Sequence, residues 1–325
     1  MRAVLLAAGG ETELAEPPLP PPREGEVAVE VETVALGPLD LLPATDTAVV
    51  PGRGVAGRLA APLAALGLAA GARVAVDPRV PCGECGACRR LEPAACRRPG
   101  LAGTPAHPGG LAGRLTVVPT RLRPLPADVD SELGALLHLL ALAVAALETA
   151  APAPAEGVAV FGLGPLGLLV LQLARLAGCR PVFGVDPLAE RTEAALAAGA
   201  DLAAVDPAVL REAGGGGLPV VVASAEAGEM VLAAGEILAP DGRLVAVGPG
   251  LPPLVLDGER PASAHRLPHP RSRHWRRALA LLADGRLDPT AVVTHRTTLE
   301  AAPSLLRRLA REPGAVLCAL VHLRR

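Results

Sequence analysis

Residues 158–186 read VAVFGLGPLGLLVLQLARLAGCRPVFGVD. An apolar run of strand length, Val158–Phe161, enters Gly162-Leu163-Gly164-Pro165-Leu166-Gly167. A Leu/Val/Ala stretch of helical composition follows and ends near Gly178, and a second apolar run, Val182–Val185, closes on an acid, Asp186. A lone G-x-G-x-x-G is a weak signal, because a glycine-rich turn without a ligand reads the same way. Here a strand precedes it, a helix opens on it and an acid ends the next strand, which is the arrangement that binds a dinucleotide. Gly162 permits the tight turn, Gly164 lets the backbone approach a pyrophosphate, and Gly167 lets the helix pack on the strand. Pro165 and Leu166 begin the helix whose positive end meets the phosphates. Asp186 can accept hydrogen bonds from the two hydroxyls of an adenosine ribose. Its charge repels a 2′-phosphate, so NAD is expected rather than NADP. Arg191 either softens that repulsion, caps the adenine side or faces solvent.

The pattern continues on both sides. Downstream, a helix at Ala189–Ala198 and strands at Leu202–Val205, Val220–Ala223 and Leu244–Val247 alternate in the way that builds right-handed crossovers and a parallel sheet. Gly214–Gly217 reads as a loop. Upstream, Ser131–Ala150 is an unbroken Leu/Ala helix with Ser131 as its N-cap. Residues 1–128 read as strands and loops: Val27, Val29 and Val31 alternate with Ala28, Glu30 and Glu32, and Pro17–Pro22 breaks any helix. The tail from Arg273 holds a helix, a strand near Ala291–Thr294, another helix and a last strand at Val316–Val321.

Four cysteines, Cys82, Cys85, Cys88 and Cys96, lie in CGECGACRRLEPAAC. Two C-x-x-C steps place three sulfurs on one tight loop, and the chain returns with a fourth. Four thiolates suit a tetrahedral zinc with no open position, a structural rather than a catalytic ion. Arg89 and Arg90 follow the third sulfur, and their charge favours thiolates. Two disulfides would need an oxidising compartment, which nothing upstream suggests.

Composition excludes several classes. The net charge is −2 and the basic residues form only short Arg pairs, so no nucleic-acid partner is expected. The uncharged stretch Gly157–Ala174 is long enough to raise a membrane span. Its glycines and Pro165 mark a strand, turn and helix instead, so no membrane partner is expected. The first residues are too short an apolar run for a signal peptide, which makes the cytoplasm the expected address. The chain lacks Lys and Tyr and has one Ile, Ile237, a bias that fits GC-rich coding. With Phe161, Phe183 and Trp275 as the sole aromatic residues, a substrate pocket must be lined by Leu, Val and Ala, which favours a modest apolar small molecule.

Taken with the cysteine loop and the glycine turn, MRAVLL, PREGEVAVEVETVALGPLD, GARVAVDPRVPCGECGACRRLEPAAC and DGRLDPTAVVTHRTTLEAAPSLL resemble the medium-chain dehydrogenase/reductase superfamily, in its zinc-containing alcohol dehydrogenase branch. The resemblance implies an α/β protein. A doubly wound Rossmann domain at 129–270 would bind NAD. A GroES-like, β-rich catalytic domain would be built from 1–128, with the structural zinc loop, and from the return at 271–325. It also implies an active site in the cleft between the domains, an oxidoreductase activity on CH–OH groups, and a homodimer or homotetramer joined through the cofactor domain.

The resemblance breaks at the catalytic zinc. The family's C-G-S/T-D segment is here Gly37-Pro38-Leu39-Asp40, so the cysteine ligand is Gly37 and the relay hydroxyl is Leu39. Its G-H-E segment is Gly52-Arg53-Gly54, and a frequent Glu-Pro pair corresponds to His138-Leu139. One histidine cannot hold a catalytic zinc, which needs three protein ligands. The expected arrangement is therefore one structural zinc, no catalytic zinc, and Arg53 beside Asp40 polarising a carbonyl with help from His138. The alternatives are that Arg53 merely neutralises Asp40 in a lapsed, NAD-binding scaffold, and that His138 is a packed histidine. His265, His269 and His274 read as a solvated Arg/Pro-rich loop, His107 as a surface turn, His295 as packing, and His322 as partnerless. Cys179 and Cys318 read as small core residues.

Overall fold

The computed structural model describes residues 1–7, 10–17, 22–41, 47–90, 92–224, 228–247, 263–267, 269–312 and 314–323. Most of the Pro17–Pro22 cluster lies outside these. The chain divides into two compact units, Met1–His138 with Leu279–Arg325, and Leu139–Ala278.

The first unit is built on a seven-stranded sheet. Its order is Val293–Thr298, Cys318–His322, Val27–Leu36, Gly54–Leu59, Arg73–Val76 and Leu122–Pro124, with Arg114–Val117 also paired to Val27–Leu36. The period-two reading explains why this sheet has one dry face: Val29 and Val31 are fully buried, while Ala28, Glu30 and Glu32 between them are not. Helix Ala302–Arg311 covers part of that face. Leu305, Leu306 and Leu309 recur at helical spacing and join the core, and Arg307, Arg308 and Arg311 stay outside. Each buried leucine contributes about 2 kcal/mol.

The second unit carries six parallel strands in the order Leu202–Ala204, Val182–Val185, Val158–Phe161, Leu218–Ala223, Leu238–Val247 and Ser263–Leu267. The order reverses between Val158–Phe161 and Leu218–Ala223. Such a reversal opens a crevice at the carboxyl ends of the strands, where doubly wound sheets bind ligands. Both central strands are buried on both faces, which is why they read as continuous apolar runs. Helix Ser131–Ala150 has the length and apolarity to cross a bilayer, and 67% of its most apolar window is buried inside the protein.

Four expectations change. Ser131 is the first helical residue rather than the N-cap; Asp130 caps the helix, its Oδ1 accepting from Leu133 N–H at 2.9 Å. The strand placed near Ala291–Thr294 is Val293–Thr298, because Asp288 caps Thr290 N–H and Pro289 starts a 3-10 turn over Pro289–Val292. The Arg/Pro-rich stretch is not a solvated loop. Ser263–Leu267 is the sixth strand, and in helix Ser272–Ala283 both His274 and Trp275 are buried. Two short helices, Pro207–Ala213 and Gly228–Glu236, complete the crossovers and had no sequence-based assignment.

Candidate functional site

In the second unit, Gly162 takes a left-handed φ of 81° and hands the chain to helix Pro165–Leu176, with Pro165 at its first turn. A Cβ on Gly167 would overlap the Gly162 carbonyl oxygen, so helix and turn meet at a distance only glycine allows. A Cβ on Gly164 would meet nothing nearer than Arg191 Nη1, at 4.0 Å. The turn is therefore tight behind and open in front, the shape a pyrophosphate requires. Leu166 is buried beneath it. Gly167→Ala is expected to weaken NADH binding roughly tenfold or more, about 1.4 kcal/mol, as read by fluorescence titration.

Asp186 is 1% exposed, and its carboxylate is clamped: Leu163 N–H donates to Oδ2 at 2.8 Å and Leu188 N–H to Oδ1 at 3.0 Å. Arg191 does not face solvent. Its Nη1 lies 3.3 Å from Asp186 Oδ2, so the guanidinium lies against both the acid and the glycine turn.

In the first unit, the four cysteine sulfurs lie within 4.8 Å of one another. Cys82–Cys88, Cys85–Cys88 and Cys85–Cys96 are 3.9, 3.5 and 4.0 Å apart. A tetrahedral zinc with sulfurs at about 2.3 Å spaces them at about 3.8 Å, so the quartet fits that ion. Backbone N–H groups of Arg97 and Cys88 hold the Cys85 thiol down to about 6, and those of Cys85 and Glu84 lower Cys82. Burial and the neighbouring sulfurs push Cys88 up to about 12. Among the described residues, no other group of three or more His, Cys, Asp or Glu side chains is placed to share an ion.

Asp40 is buried in the 3-10 turn Pro38–Leu41. Its Oδ2 accepts from Gly37 N–H at 2.9 Å and its Oδ1 from Arg53 N–H at 3.1 Å, tying that turn to the start of strand Gly54–Leu59. Burial pushes the carboxyl up, against the Arg53 charge and the backbone donors of Gly37, Arg53 and Gly52. The Arg53 guanidinium donates from Nη1 to Leu39 O at 2.6 Å and from Nε to Ala102 O at 3.4 Å. Gly54 is packed to the backbone: a Cβ would lie 2.5 Å from Ala135 O. A side chain there has no room without a backbone shift.

Sequence reasoning missed a second charged centre. Asp77 and Arg79 follow strand Arg73–Val76; Arg121 directly precedes the opposing strand Leu122–Pro124, and Arg123 lies within it. Asp77 N–H donates to Arg121 O at 2.8 Å, just beyond the ladder of Arg73–Val76 with Leu122–Pro124, and this brings the two segments together. Arg79 donates to Asp77 Oδ1 from Nε at 3.1 Å and to Oδ2 from Nη2 at 2.7 Å. Arg123 Nη2 reaches Oδ2 at 2.9 Å, and Arg121 Nε donates to the Asp77 carbonyl at 2.8 Å. Burial alone would raise the Asp77 carboxyl, but Arg79 and Arg123 outweigh it and hold it low. His138, half-buried on helix Ser131–Ala150, adds to that field. Ala102 joins the two centres, accepting from Arg53 and donating its N–H to Pro78 O at 2.8 Å. The closely spaced charges of Asp77-Pro78-Arg79 and Arg121-Leu122-Arg123 were the available signal.

Two other histidines have partners of their own. His274 Nδ1 accepts from Arg271 N–H at 2.8 Å and closes the first turn of its helix. His322 has a partner after all, with Nε2 at 3.1 Å from Glu132 Oε1. Cys318 is a core thiol, pushed up to about 12 by burial and by Asp40.

Residues 23–127 match the model of the alcohol dehydrogenase GroES-like domain, and residues 165–266 match that of the zinc-binding dehydrogenases. The chain belongs to the medium-chain dehydrogenase/reductase superfamily. It is of the zinc-containing alcohol dehydrogenase type, with the family's GroES-like and Rossmann parts. The alcohol dehydrogenase of Thermus sp. ATN1 is 27% identical over 100% of both chains, with a TM-score of 0.87. A protein named as a zinc-binding dehydrogenase from Sinorhizobium meliloti 1021, solved with NADP, is 26% identical over 99% of both, with a TM-score of 0.83. Among curated sequences, a probable D-xylulose reductase A of Aspergillus fumigatus is 34% identical over 123 residues, 38% of this chain. The match spans about a third of that relative, 34% of its length.

Proposed function

We propose that the chain is an NAD-dependent oxidoreductase of the alcohol dehydrogenase type that works without a catalytic zinc. It would interconvert a small alcohol and its carbonyl, or reduce an activated double bond. The observation that supports this reading is the pairing of an intact glycine turn with Arg53, held by Asp40 and the Leu39 carbonyl, beside a backbone-packed Gly54, in the segment where the resemblance expects a metal ligand.

The bound nicotinamide would supply or accept the hydride. The chain's own residues do the rest. Gly162, Gly164 and Gly167 give the pyrophosphate a backbone cradle, and Asp186 takes the ribose side. The Asp186 carboxylate favours NAD. Arg191, which is paired with it, moderates that preference, so replacing Arg191 with Ala should widen the ratio of NADPH to NADH dissociation constants. Arg53 keeps a permanent charge where the family keeps a metal, and a guanidinium stabilises a developing oxyanion by charge and hydrogen bonds. Asp40 positions Arg53 through its backbone N–H. His138 has the intrinsic range to pass a proton. The single zinc would be structural, held by Cys82, Cys85, Cys88 and Cys96. The substrate is a small molecule, the assembly a homodimer or homotetramer, and the compartment the cytoplasm.

A second reading, a scaffold that binds NAD without turnover, is favoured by one fact: Arg53 spends two donors on the carbonyls of Leu39 and Ala102. NADH oxidation against a panel of small aldehydes, ketones and enones separates the two. Turnover with any member supports the enzyme, and saturable NADH binding without turnover supports the scaffold.

A further inference from the structure

We propose that the cluster of Arg79, Arg121 and Arg123 around Asp77 binds a small tetrahedral oxyanion of the phosphate type. This proposal stands independently of the hydride-transfer reading. Two guanidinium groups, Arg79 and Arg123, share the Asp77 carboxylate, and a third, Arg121, lies on the Asp77 backbone carbonyl. Asp77, Arg79 and Arg121 are 2, 7 and 6% exposed, so the excess charge is held largely away from water. Asp77 is already saturated by Arg79 and Arg123. Arg121 gains only the Asp77 carbonyl through Nε. Its Nη2 is buried with no hydrogen-bond partner among the described residues. Glu26 acts on Arg121 only through its charge, and its own carboxylate accepts from Arg23 N–H.

Buried donors are almost always satisfied, and a buried, unmatched cation is costly. An anion on Arg121 Nη2 answers both needs, since a guanidinium suits a tetrahedral oxyanion. Arg123, whose Nη1 donates to the carbonyls of Thr120 and Leu122 and whose Nη2 donates to Asp77, adds positive charge nearby. Arg123 keeps 18% of its side chain exposed and gives the ion a route in. The shortage of negative charge is also visible in the cations themselves. Burial pulls Arg121 down to about 10 and lowers Arg123, and the Asp77 charge, which raises both, does not offset it.

The test uses the zinc-loaded full chain. Equilibrium dialysis against labelled inorganic phosphate should retain one ion per chain. The unfolding midpoint at constant ionic strength should rise by roughly 3 °C for each tenfold increase in phosphate above saturation. Arg121→Leu should lose both responses while staying folded, because it deletes the orphan donor; Arg121→Lys should bind more weakly. Glycerol phosphate competing for the retained ion would identify a phosphoryl ligand, and its failure to compete would identify the free ion. No retained phosphate in the wild-type protein, or equal responses in wild type and Arg121→Leu, would overturn the proposal. If Arg121→Leu does not fold, dialysis of the wild type and Arg121→Lys decides.

Discussion

Replacing Asp77 with Asn is expected to cost about 3–5 kcal/mol of stability, the usual penalty for removing one partner of a buried ion pair. The change deletes the carboxylate that, among the described residues, Arg79 and Arg123 share, and leaves their guanidinium groups crowded together. Denaturant unfolding of wild type and variant measures the loss. The pH dependence gives an independent check. The Asp77 carboxyl is held below its ordinary value in the folded protein. Its contribution is therefore complete above the unfolded value near 3.8 and disappears as pH falls through the lower, folded value. The wild type should show that acid limb below about pH 4, and Asp77→Asn should show a flatter one. Equal stability in the two proteins would mean that solvent already screens the cluster.

The second large effect concerns turnover. If Arg53 polarises the substrate, Arg53→Ala should lower kcat by roughly a hundred- to a thousandfold, the range seen when one oxyanion donor is removed. KM should move far less. Arg53→Lys keeps the charge but loses the fork, and should recover only part of the rate. Because Arg53 also holds Leu39 O and Ala102 O, the melting temperature of each variant must be read beside its kinetics. A drop in stability with unchanged turnover would make Arg53 a latch. His138→Ala should cost less, since its charge also reaches Asp77 and part of its role is electrostatic. Unchanged rates in both variants would dismiss the catalytic assignment.

What the sequence revealed and what it hid divide along physical lines. The glycine turn, its flanking strands and the four sulfurs were legible because each depends on local geometry: a φ only glycine adopts readily, a contact no Cβ survives, a fixed ligand spacing. Ser131–Ala150, Val158–Phe161 and Val182–Val185 begin and end where their apolar periodicity does. Ser263–Leu267 was hidden because its Ser, His and Arg residues carry no strand signature, and its pairing with Leu238–Val247 supplies the order. His274 was hidden because its burial comes from a helix packing that no window of sequence contains. The Arg191–Asp186 contact and the Asp77 cluster depend on side chains brought together across a helix turn or a ladder. The packing of Gly54 against Ala135 joins residues far apart in the chain, and only the fold shows that a side chain has no room there.

The most direct test is a metal count on freshly purified protein by plasma mass spectrometry, paired with an NADH turnover assay on the same sample. One zinc per chain, lost in Cys85→Ser, with carbonyl-dependent NADH oxidation in the wild type, is the predicted result. Two zinc ions per chain, the second retained in Cys85→Ser and required for turnover, would contradict it.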